Sequence, residues 1–467
     1  MTKRNKGLLA DAGVTLIGTP DNDTLVGTAG DDRIEGRRGH DHIEGLGGND
    51  LLLGGAHYDV LMGGNGKDTL EGGGYSDELD GGAGADVMRG GDGSDHYYVD
   101  HINDQCIEGA GDDGSDTIIT SVTVTMGAGI ENLYMDPPDG DADIDVFGNN
   151  LANDIYGNNG SNHIVGGGGD DHIQGNNSDG PGGNDLIEGG TGNDEMNTAH
   201  GGNSTVIGGK GNDHYIVGAN DIVIEQAGEG TDYLEVYNFD RSVYELVAHV
   251  EETSVNAVEG QAVQITGTND GDIVVLNTEG AVGSALYGLD GDDSLHINPN
   301  GYNYNGDGNS IVDGGDGNDT LSIWNGGTIY GGNGNDEIWG YAFSEEMHGG
   351  NGNDKFSLYG TDLVYGDAGS DTFQIDSVDG GFATLADFNA NQDSIGFIWM
   401  SDGVAAENFV SGSSAVALEA DDHIIFDTDT GALYYDSDGA GGWDAWQIAS
   451  VNITAGTLDY TDFVEWG

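Results

Sequence analysis

Aspartate is the residue in this chain with the types and spacing to do chemistry. Between residues 18 and 98 a carboxylate returns every nine positions, at Asp23, Asp32, Asp41, Asp50, Asp59, Asp68, Asp77, Asp86 and Asp95. The frame is Gly-x-x-x-x-Asp-x-apolar-x, and glycine opens every phrase from Gly18 to Gly90. Two residues after each Asp stands an apolar side chain: Leu25, Ile34, Ile43, Leu52, Leu61, Leu70, Leu79, Met88 and Tyr97. In a chain so rich in Asp and Glu any isolated acid pair is uninformative as a catalytic signal. A row of carboxylates in strict register is different, because such rows collect cations.

The elements that position this row follow from the phrase itself. A self-similar period this short belongs to a parallel β-solenoid, not to a helix or an ordinary globule. In Gly63-Gly64-Asn65-Gly66-Lys67-Asp68-Thr69-Leu70-Glu71, six residues make a turn and three make a short strand. Glycine supplies the positive φ that the turn needs. Alternation along the strand turns Leu70 inward and leaves Thr69 and Glu71 outside. Two phrases complete one coil, so alternate phrases stack at roughly 4.8 Å. Asp50, Asp68 and Asp86 then form one column, and Asp59, Asp77 and Asp95 another. Unit charges at that separation repel by about 1 kcal/mol even in bulk water. Carboxylates with the carbonyls of the glycine turns make an all-oxygen cage, which suits Ca²⁺ better than Mg²⁺.

Four phrases, GGNGKDTLE (63–71), GGAGADVMR (81–89), GGDGNDTLS (314–322) and GGNGNDEIW (331–339), resemble the RTX calcium-binding nonapeptide GGxGxDxUx. The resemblance implies an all-β fold: a calcium-bound parallel β-roll in three arrays, with β-rich connectors and a C-terminal β cap. It also implies multiple Ca²⁺ ions held between successive turns by the repeat aspartates. A disordered Gly/Asp-rich tract would not need an apolar residue in every phrase.

The remaining chain divides on the same signals. Residues 1–16 are an entry segment, 17–100 the first roll and 101–146 a connector. The connector has β-branched strands over 117–135 and the IENL element (130–133) often seen between such arrays. The second roll, 147–218, begins with Asn153 and Asn162 where Asp is expected, then restores the frame at Asp171, Asp185, Asp194 and Asp213. The uncharged amides predict weak binding or an N-terminal cap. Residues 219–286 are β-rich without a repeat, either a small sandwich or a continuation of the coil. The third roll, 287–378, holds Asp293, Asp319, Asp336, Asp354, Asp362 and Asp371 at the metal position. Glu345 and Ser310 replace Asp in two phrases, and the phrase near Gly327 has no carboxylate, so fewer ions are expected there. At array ends, Asp23 and Asp95 are expected to see half-built sites.

Composition narrows the function. The 467 residues include 88 glycines and 5 prolines, and the formal net charge is −73 with only 11 Lys and Arg. Self-repulsion of this size opposes compaction without cations, so folding and calcium binding should be linked. It also argues against nucleic acid as a partner. No apolar run is long enough to span a membrane, and the basic N-terminus, interrupted by Asp11 and glycines, does not read as a cleaved signal peptide. Cys106 is the only cysteine, so no internal disulfide forms. Histidines at turn positions (His40, His42, His163, His172, His214) are not grouped at ligand spacing and read as solvated polar fillers. The six tryptophans lie in the last third and read as core and cap packing before a carbohydrate platform.

The stretch 421–451 resembles the C-terminal module shared by secreted alkaline proteases and alginate epimerases of the RTX group. In that group the C-terminus carries an uncleaved signal for the type I secretion apparatus, and TDFVEW (461–466) fits, although Glu465-Trp466-Gly467 departs from an all-apolar tail. With no GxSxG, zinc-protease helix or P-loop, the chain does not read as an enzyme. The preferred expectation is a secreted, extracellular or cell-surface calcium-binding structural protein, partnered by itself or by cell-surface polysaccharide. The alternatives are a secreted polysaccharide-modifying enzyme and, behind it, an RTX toxin.

Overall fold

The computed structural model describes residues 2–3, 12–109, 114–136, 140–176, 182–199, 201–278, 283–299, 309–324, 326–341, 344–376, 381–398, 404–415, 423–436 and 445–464. It contains two compact units, residues 1–235 and 236–467. Among the described residues nearly all regular structure is β-strand, with two single-turn 3₁₀ helices at Ala406–Asn408 and Tyr460–Asp462.

In the first roll the strands lie parallel to the strand two phrases away. His42–Gly47, Val60–Gly66 and Glu78–Gly84 follow one another in one sheet, with Ile43 opposite Leu61 and Leu61 opposite Leu79. Leu51–Ala56, Thr69–Gly74 and Val87–Asp92 do the same in the facing sheet, with Leu52 opposite Leu70 and Leu70 opposite Met88. The register offset is two phrases, so the coil is the one the period predicts. Strands are longer than the phrase suggests, because they run on through the opening glycines of the next phrase. The inward residues are fully buried, Leu25 through Tyr97 alike. Burying each such side chain contributes about 1.5–3 kcal/mol. Thr69 is half-buried and Glu71 exposed, as alternation requires.

The connector at 101–146 is itself made of coils. Thr117–Thr120 pairs in parallel with His96–Val99 on one side and Asn132–Met135 on the other. Cys106 lies in Gln105–Ile107, opposite Met88. The second roll continues the pattern through His163–Gly168, Leu186–Thr191 and Thr205–Lys210.

In the second unit the stretch left open between sandwich and coil is a coil. Val243–Glu245, Gln264–Thr266 and Ala285–Asp290 pair in parallel, and so do Glu252–Ala257, Ile273–Thr278 and Ser294–Pro299. The same ladder continues to Thr372–Ile375 and Ser394–Phe397. A different element covers the sheet edge. Ala383–Leu385 pairs with Trp446–Val451, which runs antiparallel to Ala432–Tyr435, itself antiparallel to Ile424–Asp427. This meander takes up the unpaired N–H and C=O groups that an exposed strand edge presents. Phe463–Val464 adds a short parallel strand against Ile395 and Gly396. Residues 465–467 of the expected export tail lie outside the described residues.

Candidate metal centres

The two oxygens of each repeat carboxylate have different tasks. Oδ1 accepts the amide N–H of the aspartate one coil earlier. Asp50 N–H donates to Asp68 at 2.7 Å, and Asp68 N–H donates to Asp86 at 2.7 Å. In the facing column Asp23, Asp41, Asp59 and Asp77 donate in turn to Asp41, Asp59, Asp77 and Asp95. Asp171 to Asp194 and Asp194 to Asp213 repeat the link, as do Asp293, Asp319, Asp336, Asp354 and Asp371 in order. The carboxylates are therefore held inward by the backbone they stack on.

Oδ2 is buried without any hydrogen-bond partner in Asp41, Asp50, Asp59, Asp68, Asp77, Asp86, Asp171, Asp194, Asp213, Asp293, Asp319, Asp336 and Asp354. The local backbone accounts for this. In each of these phrases the residue four before the Asp has left-handed φ, as in Arg37 (87°), Leu46 (78°), Gly55 (117°), Gly64 (104°) and Leu289 (85°). Where that position is Thr or Asn and φ is not positive, its amide caps Oδ2 instead. Thr19 N–H reaches Asp23 at 2.6 Å, Thr28 N–H reaches Asp32 at 2.6 Å, and Thr268 N–H reaches Asp272 at 2.7 Å. One turn geometry satisfies its own carboxylate; the other leaves it for an outside charge.

Burial pushes these carboxyls up, and a nearby aspartate, in the column for most and Asp170 or Asp367 for Asp194 and Asp354, adds to it. Asp50 and Asp68 rise to about 6, Asp59 to about 7 and Asp77 to about 8. Asp171, Asp213, Asp293 and Asp371 rise to about 7, and Asp194, Asp319, Asp336 and Asp354 to about 6. A buried anion without a partner is strongly unfavourable and must be protonated or paired with a cation. The surroundings suit a hard divalent cation: a Cβ built at Gly63 would lie 2.5 Å from Asp68 Oδ2 and 2.6 Å from the Gly81 carbonyl oxygen. The space is thus kept by glycine and bordered by oxygen donors, the chemistry of a calcium cage.

The asparagine phrases solve the same problem differently. Asn153 Nδ2 donates to Ile130 O at 3.0 Å, and Asn149 Nδ2 donates to Ile130 O at 2.7 Å and Gly127 O at 2.8 Å. Asn162 Nδ2 donates to Asn158 Oδ1 and Gly160 O. An amide donor points at the oxygens here, so these turns close on their own hydrogen bonds. Asp185 stands in the column of Asn162 and is followed there by Ser204, not by another Asp.

In the second unit Asp293, Asp319, Asp336, Asp354 and Asp371 share one column, while Asp362 stands apart. It lies in the facing column, where Glu345 N–H donates to it and where Ser284, Ser310 and Gly327 occupy the preceding levels. Neither end aspartate terminates as the spacing suggests. Asp23 is capped by Thr19, and Asp95 N–H donates to Asp116 at 2.7 Å. The columns also contain residues outside the unbroken period: Asp104, Asp116, Asp232 and Asp393 accept from Asp86, Asp95, Asp213 and Asp371 in turn, and Asp272 N–H donates to Asp293. An apolar residue follows each two places on, as in Asp-Gln-Cys at 104–106, Asp-Thr-Ile at 116–118 and Asp-Ser-Ile at 393–395. That signal survives at Asp232 and Asp393, where the opening glycine is lost; Gly111 and Gly267 keep it before Asp116 and Asp272.

The turn histidines pair outward with carboxylates, His42 with Glu44 at 2.9 Å and His163 with Glu188 at 3.0 Å. Trp324 stacks on Tyr341 at 4.2 Å, and Trp446 is 47% exposed, so these two rings do not fill the core.

Parallel coils with columned carboxylates and glycine-kept oxygen cradles define a β-roll built for calcium. The family model of the RTX calcium-binding nonapeptide repeat matches residues 17–52, 62–97, 147–180, 176–199, 198–221, 306–327, 324–356 and 339–373. Over these segments the chain carries RTX calcium-binding nonapeptide repeats in multiple copies. No curated protein matches it.

Proposed function

We propose that this is a secreted structural protein of the cell surface or extracellular matrix, exported unfolded by a type I system and folded by extracellular calcium. One observation carries the reading: the rows of buried Oδ2 atoms without an internal partner. In calcium-poor cytoplasm these rows oppose the roll, and the chain stays extended enough for export. In millimolar calcium each ion supplies the missing opposite charge, so binding free energy becomes folding free energy. The resemblance of 421–451 to a type I secretion module supports the route. Among the described residues no helix is long and apolar enough to cross a membrane. The mature role is a scaffold, a surface layer, fibril or adhesin, with no catalytic activity.

Electron microscopy of the calcium-loaded protein, with and without a cell-surface polysaccharide, tests this. Sheets, filaments or cell-bound protein are expected. A calcium-folded protein that stays monomeric at high concentration and ignores cells would overturn the scaffold role. A second reading rests on the half-buried aromatic stack Trp324–Tyr341–Tyr359, which could seat a sugar ring of a polysaccharide substrate. Turnover of alginate or β-glucan would favour it.

A further inference from the structure

Two places in the first unit depart from the repeat in the same way. At the end of each array the inward apolar residue is a tyrosine, Tyr97 or Tyr215, fully buried. Its hydroxyl crosses to the facing turn and donates to a glutamate, Glu108 or Glu225. Strand register explains why these glutamates arrive there. Arg89 pairs with Ile107 and Ile207 with Ile224, so Glu108 stacks over Gly90 and Glu225 over Gly208. Each glutamate takes the place of a phrase-opening glycine, where an ordinary site has only a carbonyl. In the ordinary repeat the corresponding neighbour of Gly45 is Gly63.

Three carboxylates therefore converge. One oxygen each from Asp213, Glu225 and Asp232 lie within 4.8 Å of one another, and the same holds for Asp95, Glu108 and Asp116. Asp213 is 2% exposed, and its Oδ1 is taken by Asp194 N–H at 2.9 Å. Its Oδ2 is buried, makes no hydrogen bond, and lies beside Gly208 next to the Tyr215 hydroxyl. Glu225 is fixed at both oxygens, by Tyr215 at Oε2 and by Gln226 N–H at Oε1 at 2.8 Å. Asp232 Oδ1 accepts Asp213 N–H at 2.8 Å.

We propose that Asp213–Glu225–Asp232 and Asp95–Glu108–Asp116 are two divalent-cation sites of a separate class, tighter than the repeat sites and selective for a hard cation such as Ca²⁺. The proposal rests on the calcium reading above and adds ligands outside the repeat. Affinity in oxygen cages rises with the count of charged ligands and the rigidity of the site. Both increase here, through a third carboxylate and through a tyrosine that holds it. These two sites fill first and close each array before the repeat turns fill.

The test is a calcium titration of the full chain against a chelator of known affinity. In Glu108→Gln/Glu225→Gln the tightest class is expected to weaken by tenfold or more at two sites, with later binding retained. Asp68→Ala is the control and should alter only the weaker class. Terbium in place of calcium gives a second readout. Its first two equivalents should show tyrosine-sensitised emission in the wild type and lose most of it in Tyr97→Phe/Tyr215→Phe, a pair that keeps every carboxylate should the glutamine variant fail to fold. An unchanged tight class, or unchanged early emission, with Asp68→Ala still reducing calcium binding would overturn the proposal and leave the repeat reading intact. No effect from any variant would overturn both.

Discussion

The roll at 18–98 carries acid columns on both of its sheets, whereas the roll at 287–378 carries one on a single sheet. In the first, Asp50, Asp68 and Asp86 face Asp59, Asp77 and Asp95, and every one except Asp95 is named above as having an Oδ2 without a partner. In the second, Asp293, Asp319, Asp336 and Asp354 keep that arrangement, but the facing levels hold Ser284, Ser310, Gly327, Glu345 and Asp362. The core compensates in the same region: Phe356 and Phe373 are fully buried and stack with centroids 5.1 Å apart. The difference teaches that the solenoid tolerates loss of one acid column where larger apolar side chains fill the core. It follows that the two rolls should depend on calcium to different degrees.

Calcium removal is the largest lever on that comparison. With chelator near neutral pH, β circular dichroism should collapse, and hydrogen exchange should rise first over 18–98 and less over 287–378. Equal loss in both would erase the distinction. Acid should partly replace calcium. The folded carboxyls are raised above their unfolded value near 4, so folding takes up protons and the calcium-free fold is favoured below that value. That stability is lost as pH rises through about 6 for Asp68 and about 8 for Asp77. A calcium-free chain should therefore be more compact near pH 5 than near pH 8, measured by small-angle scattering; the reverse order would refute the assignment.

Single substitutions sharpen the contrast. Asp68→Ala removes a ligand oxygen and strips the Asp50 amide of its acceptor, a buried loss of about 1–3 kcal/mol before any ion is counted. Calcium affinity should fall at its stacked neighbours as well. Asp362→Ala, in the column without continuous acids, should leave calcium stoichiometry unchanged, as read by calorimetry. The smallest effect is at Leu46, left-handed with φ 78° and 46% exposed. Leu46→Gly should relieve about 1 kcal/mol of backbone strain and raise the denaturant midpoint in saturating calcium.

Much of this was legible in the residue order. The period of nine set the coil, the inward row from Leu25 to Tyr97 and the pairing of alternate phrases, because a fixed repeat forces equivalent residues onto one face. It left the connectors undecided, yet they coil like the rolls, since strand pairing needs backbone groups and an inward apolar residue more than it needs an unbroken run of phrases. Asp116, Asp232, Asp272 and Asp393 escaped because each stands outside an unbroken run of phrases.

What the sequence by itself determined, then, is which carboxylates share a column and that the columns repel. The tertiary structure decided which of them lack a partner. That depends on whether the amide four residues earlier turns toward Oδ2, as at Thr28, or away from it, as at Leu46. It also depends on what the next coil stacks above each opening glycine, a carbonyl in most phrases and a glutamate over Gly90 and Gly208. Both are settled by backbone torsion and register between coils, which bring together residues 10 to 26 positions apart that no single phrase contains.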